Sequence, residues 1–201
     1  MVPSEILTRL FSLRVGNQLA TGFTIEVDHR QYLITARHFV DSAPDANRIE
    51  VFRNSAWTSI SFQRIVVSAA VIDIAILAVS EQLSTPMPVA FSFKGASLSE
   101  QVFFLGFPFG LSIQGTALNR GFPLPLVKHG IIAAFRTDDQ PGQPFLIDGI
   151  NNPGFSGGPV VRLPRRGQPT IIGVISGYRA SQEPVYDSFG KTPMSVQANT
   201  A

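Results

Sequence analysis

The sequence predicts an all-β protein built as two small barrels in series, and three observations support this fold class. Glycine and proline number 17 and 15 among 201 residues, and because both interrupt regular structure they divide the chain into short segments. Many short strand-like segments follow one another at fairly regular spacing, which is typical of a barrel or sandwich. No segment sustains a helical period over three turns with capping residues.

The first strand signal is a hairpin in which Phe23–Val27 and Tyr32–Thr35 flank the turn Asp28-His29-Arg30. Further strands are predicted at Ile49–Phe52, Ser59–Val67, Ile74–Val79, Val102–Gly106, Gly130–Phe135, Phe145–Asp148, Pro159–Arg162 and Thr170–Ser176. The stretch Ser80–Phe91 contains Pro86 and Pro88 and is the expected crossing between halves. We therefore expect an N-terminal barrel over about residues 1–85 and a C-terminal barrel over about 92–201.

Composition excludes several classes of protein. Hydrophobic residues make up 44% and charged residues 15% of the chain, which excludes intrinsic disorder and predicts a packed globule. The net charge is +2 and the basic residues are scattered, so no nucleic-acid partner is expected. The longest apolar region, Val66–Val79, is too short to cross a bilayer and contains Asp73, so no membrane association is expected. With no cysteine and no signal-peptide stretch at the N-terminus, a cytoplasmic location is expected.

The most informative stretch is Asn152-Pro153-Gly154-Phe155-Ser156-Gly157-Gly158-Pro159. Glycines on both sides of a serine allow a tight turn that exposes the hydroxyl and leaves amide groups free. The amides of Gly154 and Ser156 would then point at the oxygen of a carbonyl under attack. The simpler interpretation is a glycine-rich turn without chemistry, but the full pattern ahead of an apolar strand favours a nucleophile.

A serine hydroxyl needs a base, and the chain has three histidines. His38 comes where the apolar strand ending in Thr35-Ala36-Arg37 stops, and a strand end presents a base rigidly. His29 is interpreted as a solvated turn residue, and no chemical role is found for His129, which precedes Gly130 at a strand entry.

The third group should be a carboxylate that orients the imidazole. Asp73 places one charge inside the apolar run Val71–Leu77, and a buried carboxylate needs a strong partner such as a histidine N–H. The alternative is an aspartate at a strand edge that faces water. Asp148 also follows an apolar run, but it lies only eight residues before Ser156 and is interpreted as part of the scaffold of the serine loop.

Three blocks together resemble the signature blocks of trypsin-like serine peptidases, in the order His, Asp, Ser of the chymotrypsin fold. They are Thr35-Ala36-Arg37-His38, Asp73-Ile74-Ala75-Ile76-Leu77 and Gly154-Phe155-Ser156-Gly157-Gly158-Pro159. Phe145–Gly154 and Gly106–Leu111 are similar to segments of the bacterial HtrA/Deg-type proteases. The resemblance covers about Gly22 to Gly177.

The resemblance implies a chymotrypsin-like double six-stranded β-barrel with the active site in the cleft between the barrels. It implies a serine endopeptidase that acts on a peptide or protein substrate through an acyl-enzyme and needs no metal or cofactor. The backbone amide of Phe155 would help shape the oxyanion hole with Gly154 and Ser156. Ile150 would form the floor of the primary specificity pocket, and Val174, Ile175 and Ser176 its walls, which predicts cleavage after a small or medium apolar residue.

The sequence departs from the family pattern at several positions. Phe39 follows the histidine where secreted relatives carry cysteine, and Phe155 stands where relatives carry Asp or Asn. Activation by a new N-terminus that pairs with an acid is therefore not expected, and gating is expected from ordering of the loop Phe107–Ala117. No PDZ-like module follows, so peptide sensing of the HtrA kind is not implied. Because the C-terminal helix of the family is missing, we expect a truncated chain or part of a larger parent protein.

Two alternative functions remain open from the sequence. A protease fold with a collapsed oxyanion loop would be a catalytically silent module that binds a peptide or protein partner. A plain structural β-barrel would make the three blocks a coincidence, which their order argues against. Covalent labelling of Ser156 by a fluorophosphonate would distinguish the enzyme from the binding module.

Overall fold

The computed structural model describes residues 2–65, 72–111, 123–135, 144–164, 167–178 and 180–199. Strands dominate this part of the chain, and its two α-helices are short, namely α1 (Ser4–Leu7) and α2 (Arg37–Asp41). The prediction of an all-β protein is therefore confirmed.

The first half of the described chain forms a closed antiparallel barrel. Its strands are β1 (Leu10–Val15), β2 (Gln18–Val27), β3 (Arg30–Ala36), β4 (Arg48–Arg53), β5 (Ala56–Ile65) and β6 (Ile74–Val79). They are hydrogen-bonded in the order β1-β2-β3-β6-β5-β4. The β2–β3 turn is Asp28-His29, and both residues have the positive φ of a type I′ turn, at 48° and 61°. The barrel places the end of β3 beside the start of β6, where Ala36 pairs with Ile74.

A second unit of six strands follows. These strands are β7 (Ala90–Phe91), β8 (Gln101–Gly106), β9 (Leu126–Phe135), β10 (Phe145–Asp148), β11 (Pro159–Arg162) and β12 (Thr170–Val174). Their order is β10-β9-β8-β11-β12-β7. Two six-stranded units in series confirm the predicted architecture. In the described residues, hydrogen bonds close the first unit into a barrel and leave β10 and β7 as the edges of the second.

A hairpin of β13 (Ala180–Asp187) and β14 (Gly190–Asn199) forms a separate two-stranded sheet. The sequence does not predict these strands, because both are mostly polar and each contains a proline, Pro184 and Pro193, which lacks a donor for the ladder.

All ten predicted strand segments coincide with observed strands, but several boundaries differ. The strand predicted from Gly130 begins at Leu126, and the one predicted to end at Ser176 ends at Val174. Residues 66 and 67, predicted to end β5, lie outside the described residues. The unpredicted β1 is buried on both faces along most of its length, so its sequence does not show the alternation typical of a half-buried strand.

Three apolar clusters form the core. One fills the barrel, one lies within the second unit, and the third joins the two units. In the joining cluster, Phe23 and Ile34 from β2 and β3 contribute alongside Leu105 and Val161 from β8 and β11. Each such buried side chain contributes about 1.5–3 kcal/mol of hydrophobic stabilisation. Apolar packing therefore fixes the second unit against the barrel strands that lead to His38.

Arg9 joins the N-terminal helix to the barrel and to the crossing between the units. Its side chain is 1% exposed and donates to three backbone carbonyls, those of Glu5, Thr24 and Met87, at 2.7, 2.7 and 2.8 Å. Burial lowers the pKa of Arg9, and the charges of Glu26 and Glu5 partly offset this effect. The guanidinium thus donates to three main-chain carbonyls, and without it each of them would lose this hydrogen bond.

The substitution Arg9→Met should lower the free energy of unfolding by about 3 kcal/mol or more, because it leaves these carbonyls without their donor. Urea denaturation at neutral pH measures the change. Arg48→Met is the matched control, since exposed Arg48 bonds to Ser59 and Ser61 and its loss should cost no more than about 0.5 kcal/mol. Equal losses for the two variants would contradict the role given to Arg9.

Candidate active site

His38 lies in the first turn of α2, directly after β3 ends at Ala36. The prediction that it closes a strand is wrong by two residues, because the chain turns into a helix at Arg37. Ala36 at the N-cap provides no side-chain hydrogen bond. Asp73 supplies it instead: its Oδ1 accepts the amide N–H of His38 at 2.8 Å, and its backbone oxygen accepts that of Arg37 at 3.2 Å. A carboxylate distant in sequence therefore caps this helix.

The same carboxylate holds the imidazole. Nδ1 of His38 lies 2.7 Å from Oδ2 of Asp73. An ionised carboxylate only accepts hydrogen bonds, so Nδ1–H is the donor and, in the neutral ring, Nε2 is left as an acceptor. The side chains of His38 and Asp73 are 51% and 30% exposed. Asp73 lies just before β6, half-buried and hydrogen-bonded, rather than as an aspartate that faces only water.

The pKa of His38 is raised and that of Asp73 is lowered from their ordinary values. The hydrogen bond that His38 donates to Asp73 raises the pKa of His38 above 6.5, burial opposes this, and the charges of Asp73 and Asp41 add to it. For Asp73, burial opposes ionisation, but the hydrogen bonds from His38 and the charges of His38 and Arg37 outweigh it and hold its pKa below 3.8. The His38 contribution to stability is thus present below pH 6.5 and is lost as pH rises through the folded pKa. The Asp73 contribution is present above pH 3.8 and is lost as pH falls through its folded pKa.

Ser156 lies in the turn between β10 and β11, and the turn packs directly against the barrel. Ser156 O accepts the amide of Thr21 at 2.9 Å. Gly157 has a φ of +85°, and a Cβ there would lie 2.1 Å from Thr21 O and 2.7 Å from Ala36 N. Only glycine permits this approach. The residue after Ser156 therefore contacts the strand end that leads to His38.

Two amides of the serine turn have no acceptor among the described residues, namely those of Gly154 and Ser156. The carbonyl of each peptide is held on its other side, because Pro153 O accepts Phe109 N at 3.0 Å and Phe155 O accepts Gly158 N at 2.8 Å. In a trans peptide the N–H points opposite to the carbonyl, so these bonds orient both amides. The amide of Phe155, which the sequence analysis predicted to help shape the oxyanion hole, donates instead to Asn152 O at 3.3 Å.

No hydrogen bond joins the His38 ring to the Ser156 hydroxyl in the described part of the chain. Bonds between a base and its nucleophile are often long until substrate binds. The folded chain thus brings the two loops together, with the His38–Asp73 pair already formed.

The residues predicted to bind substrate lie on two segments that meet beside the serine turn. Ile175 is buried and exchanges backbone bonds with the turn, accepting Gly157 N at 2.7 Å and donating to Gly158 O at 2.8 Å. Ile150 is 68% exposed, Val174 is half-buried and Ser176 is exposed. Asn151 Nδ2 donates to Gly177 O at 3.2 Å and so connects the two segments.

Lys128 was not predicted from the sequence. Its Nζ on β9 donates to Ile150 O at 3.0 Å and to Asn152 Oδ1, and it lies 5.4 Å from the centre of the Phe155 ring. Phe155 is fully buried and packs edge-on against Phe104 with ring centres 5.2 Å apart. An ammonium group and a buried aromatic ring therefore hold the segment that precedes Ser156. No motif marks Lys128, because its role depends on the partner strand.

The side chains of the other histidines and of Asp148 make no hydrogen bond to His38, Asp73 or Ser156 in the described residues. His29 is an exposed turn residue, as interpreted from the sequence, and His129 is exposed within β9, 6.4 Å from the Phe103 ring centre. Asp148 is exposed at the end of β10. Across the described ranges no cluster of three His, Cys, Asp or Glu side chains could hold a metal ion. Nor does the described chain contain a helix of the length and hydropathy needed to cross a membrane.

A family model described as a trypsin-like peptidase domain matches residues 20–174. No protein with a curated description matches the chain. Among solved structures, the chain is similar to the active form of the Rv3671c protease from M. tuberculosis, with 21% identity, a TM-score of 0.60 and coverage of 88% of this chain and 73% of that chain. The inactive form of the same protease gives 22% identity, a TM-score of 0.59 and coverage of 87% and 80%.

The chain is also similar to the HtrA-type protease AlgW with tripeptide, at 20% identity and a TM-score of 0.58. That match covers 98% of this chain and 57% of AlgW, so the chain spans little more than half of the AlgW chain. The TM-scores of these three structures show a shared fold. The chymotrypsin-like two-barrel class is thereby confirmed.

An NMR titration of the His38 ring protons should give a midpoint above pH 6.5, because Asp73 stabilises the imidazolium form. Asp73→Asn should lower that midpoint, since a neutral amide oxygen accepts a weaker hydrogen bond from Nδ1–H than a carboxylate does and carries no charge. Asp41→Asn is the control and should lower it less, because Asp41 acts only through its charge. A midpoint that Asp73→Asn leaves unchanged would contradict the coupling of the pair.

Proposed function

Because the chain belongs to the trypsin-like peptidase domain family, we propose that it is a serine endopeptidase. Ser156 is the nucleophile, His38 the general base and Asp73 the residue that orients the base. The observation that carries the proposal is the contact of two independent parts. The His38–Asp73 pair is bonded through Nδ1, and the glycine-flanked Ser156 turn packs on the strand end two residues before His38.

In the acylation step, Ser156 Oγ attacks the carbonyl carbon of the scissile bond while His38 Nε2 takes the hydroxyl proton. The π electrons of the carbonyl move to its oxygen, which the amides of Gly154 and Ser156 stabilise. Collapse of this intermediate breaks the C–N bond, and His38 returns its proton to the departing amine nitrogen. The products are an acyl ester on Ser156 and a peptide with a new N-terminus.

Deacylation follows the same course with water as the nucleophile. His38 takes a proton from a water molecule as the water oxygen attacks the ester carbonyl. It then gives the proton to Ser156 Oγ as the ester bond breaks. Asp73 remains ionised and holds the ring in the tautomer that leaves Nε2 as acceptor. The protein's own groups carry each proton in both steps.

In this proposal an ordered loop, the one that begins at Phe107, supports the oxyanion hole. An ion pair at position 155 does not, because Phe155 has no charge. Phe155 is a buried core residue and carries no charge for a new N-terminus. The described part of the predicted gating loop, residues 107–111, holds the Pro153 carbonyl through Phe109 N, and Phe109 itself has a positive φ of 55°. Residues 112–117 of that loop lie outside the described residues. Gating by loop order and a cytoplasmic location both stay predictions.

The alternative is a catalytically silent module of the same fold that binds a peptide or protein partner. The absence of a His38–Ser156 hydrogen bond in the described structure is the observation that favours it. The oriented amides of Gly154 and Ser156 favour the enzyme.

Ser156→Ala should abolish covalent labelling by a fluorophosphonate and reduce peptide hydrolysis by several orders of magnitude, because the acyl-enzyme cannot form. Mass spectrometry of the labelled protein and hydrolysis of a fluorescent casein measure the two effects. The control Ser195→Ala, on the separate hairpin of β13 and β14, should label as the wild type does. If the folded wild type is not labelled, the silent module is the better description.

The substrate side chain before the cleaved bond is proposed to be small or medium and apolar, such as Val, Ala or Leu. Ile150 lies six residues before Ser156, and it offers no carboxylate to a Lys or Arg side chain. Val174, Ile175 and Ser176 lie on the segment that is backbone-bonded to the serine turn.

Cleavage of a peptide library should therefore concentrate after apolar residues, with a broad preference, because each methylene is discriminated by only about 1–3 kcal/mol. Mass spectrometry of the products gives the cleavage sites, and Ser156→Ala protein is the control for contaminating proteases. Cleavage mainly after Arg or Lys would show that Ile150 does not form the floor of the pocket.

A further inference from the structure

Thr21 on β2 bonds directly to the serine turn. It is fully buried, and its hydroxyl makes two bonds: Oγ1 donates to Gly154 O at 2.7 Å and accepts Phe107 N at 3.0 Å. Its amide donates to Ser156 O at 2.9 Å. Its own carbonyl accepts the Thr35 hydroxyl at 2.8 Å. One threonine thus contacts the turn on both sides of Phe155.

The hydroxyl also connects the serine turn, which carries the two amides proposed for the oxyanion hole, to the segment that begins at Phe107. Phe107 begins a turn in which the Phe109 amide donates to Pro153 O. The peptide bond that contains Pro153 O also contains the Gly154 amide. Gly154 O is held by the hydroxyl itself. The peptides on both sides of Gly154 are therefore fixed through Thr21, one directly and one through residues 107–109.

The hydroxyl lies in tightly packed surroundings. A Cβ on Gly106 would lie 2.7 Å from Thr21 Oγ1 and 2.7 Å from the Phe155 ring. Without the hydroxyl, Phe107 N–H and Gly154 C=O would lose the partner that each has in the buried interface. A hydroxyl can donate once and accept twice, which a methyl group cannot do.

We propose that Thr21 is a positioning residue of the reaction, which holds the Gly154 amide in the orientation that stabilises the oxyanion. This inference rests on the proposed function, because it assigns Thr21 to the same site. Thr21 does not touch the reacting atoms and acts through Gly154 and the turn at 107–109. Its removal should therefore slow the chemical step and leave probe binding and the pH midpoint set by His38 unchanged.

The test measures fluorophosphonate labelling of Ser156 in the full chain, separating the limiting rate constant from the half-saturating probe concentration. Thr21→Val keeps the shape and removes the hydroxyl, and it should lower the limiting rate constant about 10- to 100-fold. Thr21→Ser restores the hydroxyl and should stay within about threefold of the wild type. The half-saturating concentration and the pH midpoint should not move.

Thr24→Val is the matched control. Thr24 lies on the same strand, is also fully buried, and bonds through Oγ1 to Ser84 Oγ at 2.6 Å, away from the serine turn. It should lower the melting temperature and leave the limiting rate constant at the wild-type value. If Thr21→Val does not fold, Thr21→Ala replaces it with the same expectation.

A folded Thr21→Val or Thr21→Ala variant that labels at the wild-type rate would overturn the inference while the proposed function stands. A Thr21→Ser variant as slow as Thr21→Val would overturn it too, since the hydroxyl would then not be the active feature. Failure of the wild type itself to label would count against the proposed function and, with it, the role of Thr21.

Discussion

The close approach of the serine turn to the barrel is the constraint on which the rest of the site depends. Gly157 lies so near Thr21 O and Ala36 N that a side chain on it would overlap both. This contact brings a turn of the second unit against the end of β3, and β3 leads within two residues to His38. The apolar cluster of Phe23, Ile34 and Leu105 holds the two units together behind it. The glycine-rich pattern thus allows both the tight turn around Ser156 and the close contact of that turn with the barrel.

Asp73 does two things with one carboxylate. One oxygen caps the first turn of α2 through the amide of His38, and the other holds the imidazole. Because both bonds go to the same residue, the backbone and the ring of His38 are fixed together. The hydrogen bonds keep the pKa of Asp73 low despite burial, and they raise that of His38. The pair is therefore most stable as an ion pair and can still present a neutral ring at higher pH.

On the N-terminal side of Ser156, the turn has no carboxylate next to the serine, and other groups hold it in place. Phe155 is buried in the apolar core of the second unit, and Lys128 bonds to Ile150 and Asn152 ahead of it. Thr21 and Phe109 hold the two carbonyls around Gly154. Packing and main-chain hydrogen bonds therefore keep this turn ordered. A buried ion pair beside the serine could have the same effect.

The all-β class, ten of the fourteen described strands and the three blocks could be predicted from the sequence, because these follow from local patterns. Alternation along a strand and glycines around a serine are visible in a few consecutive residues. The strands it missed, such as β1 and the hairpin of β13 and β14, lack such a pattern. The helical start at Arg37, the capping by Asp73, and the contacts of Thr21 and Lys128 became visible only in the folded chain. These depend on which distant segments meet, and a hydrogen bond between residues 133 positions apart, such as that of Thr21 and Gly154, has no local signature.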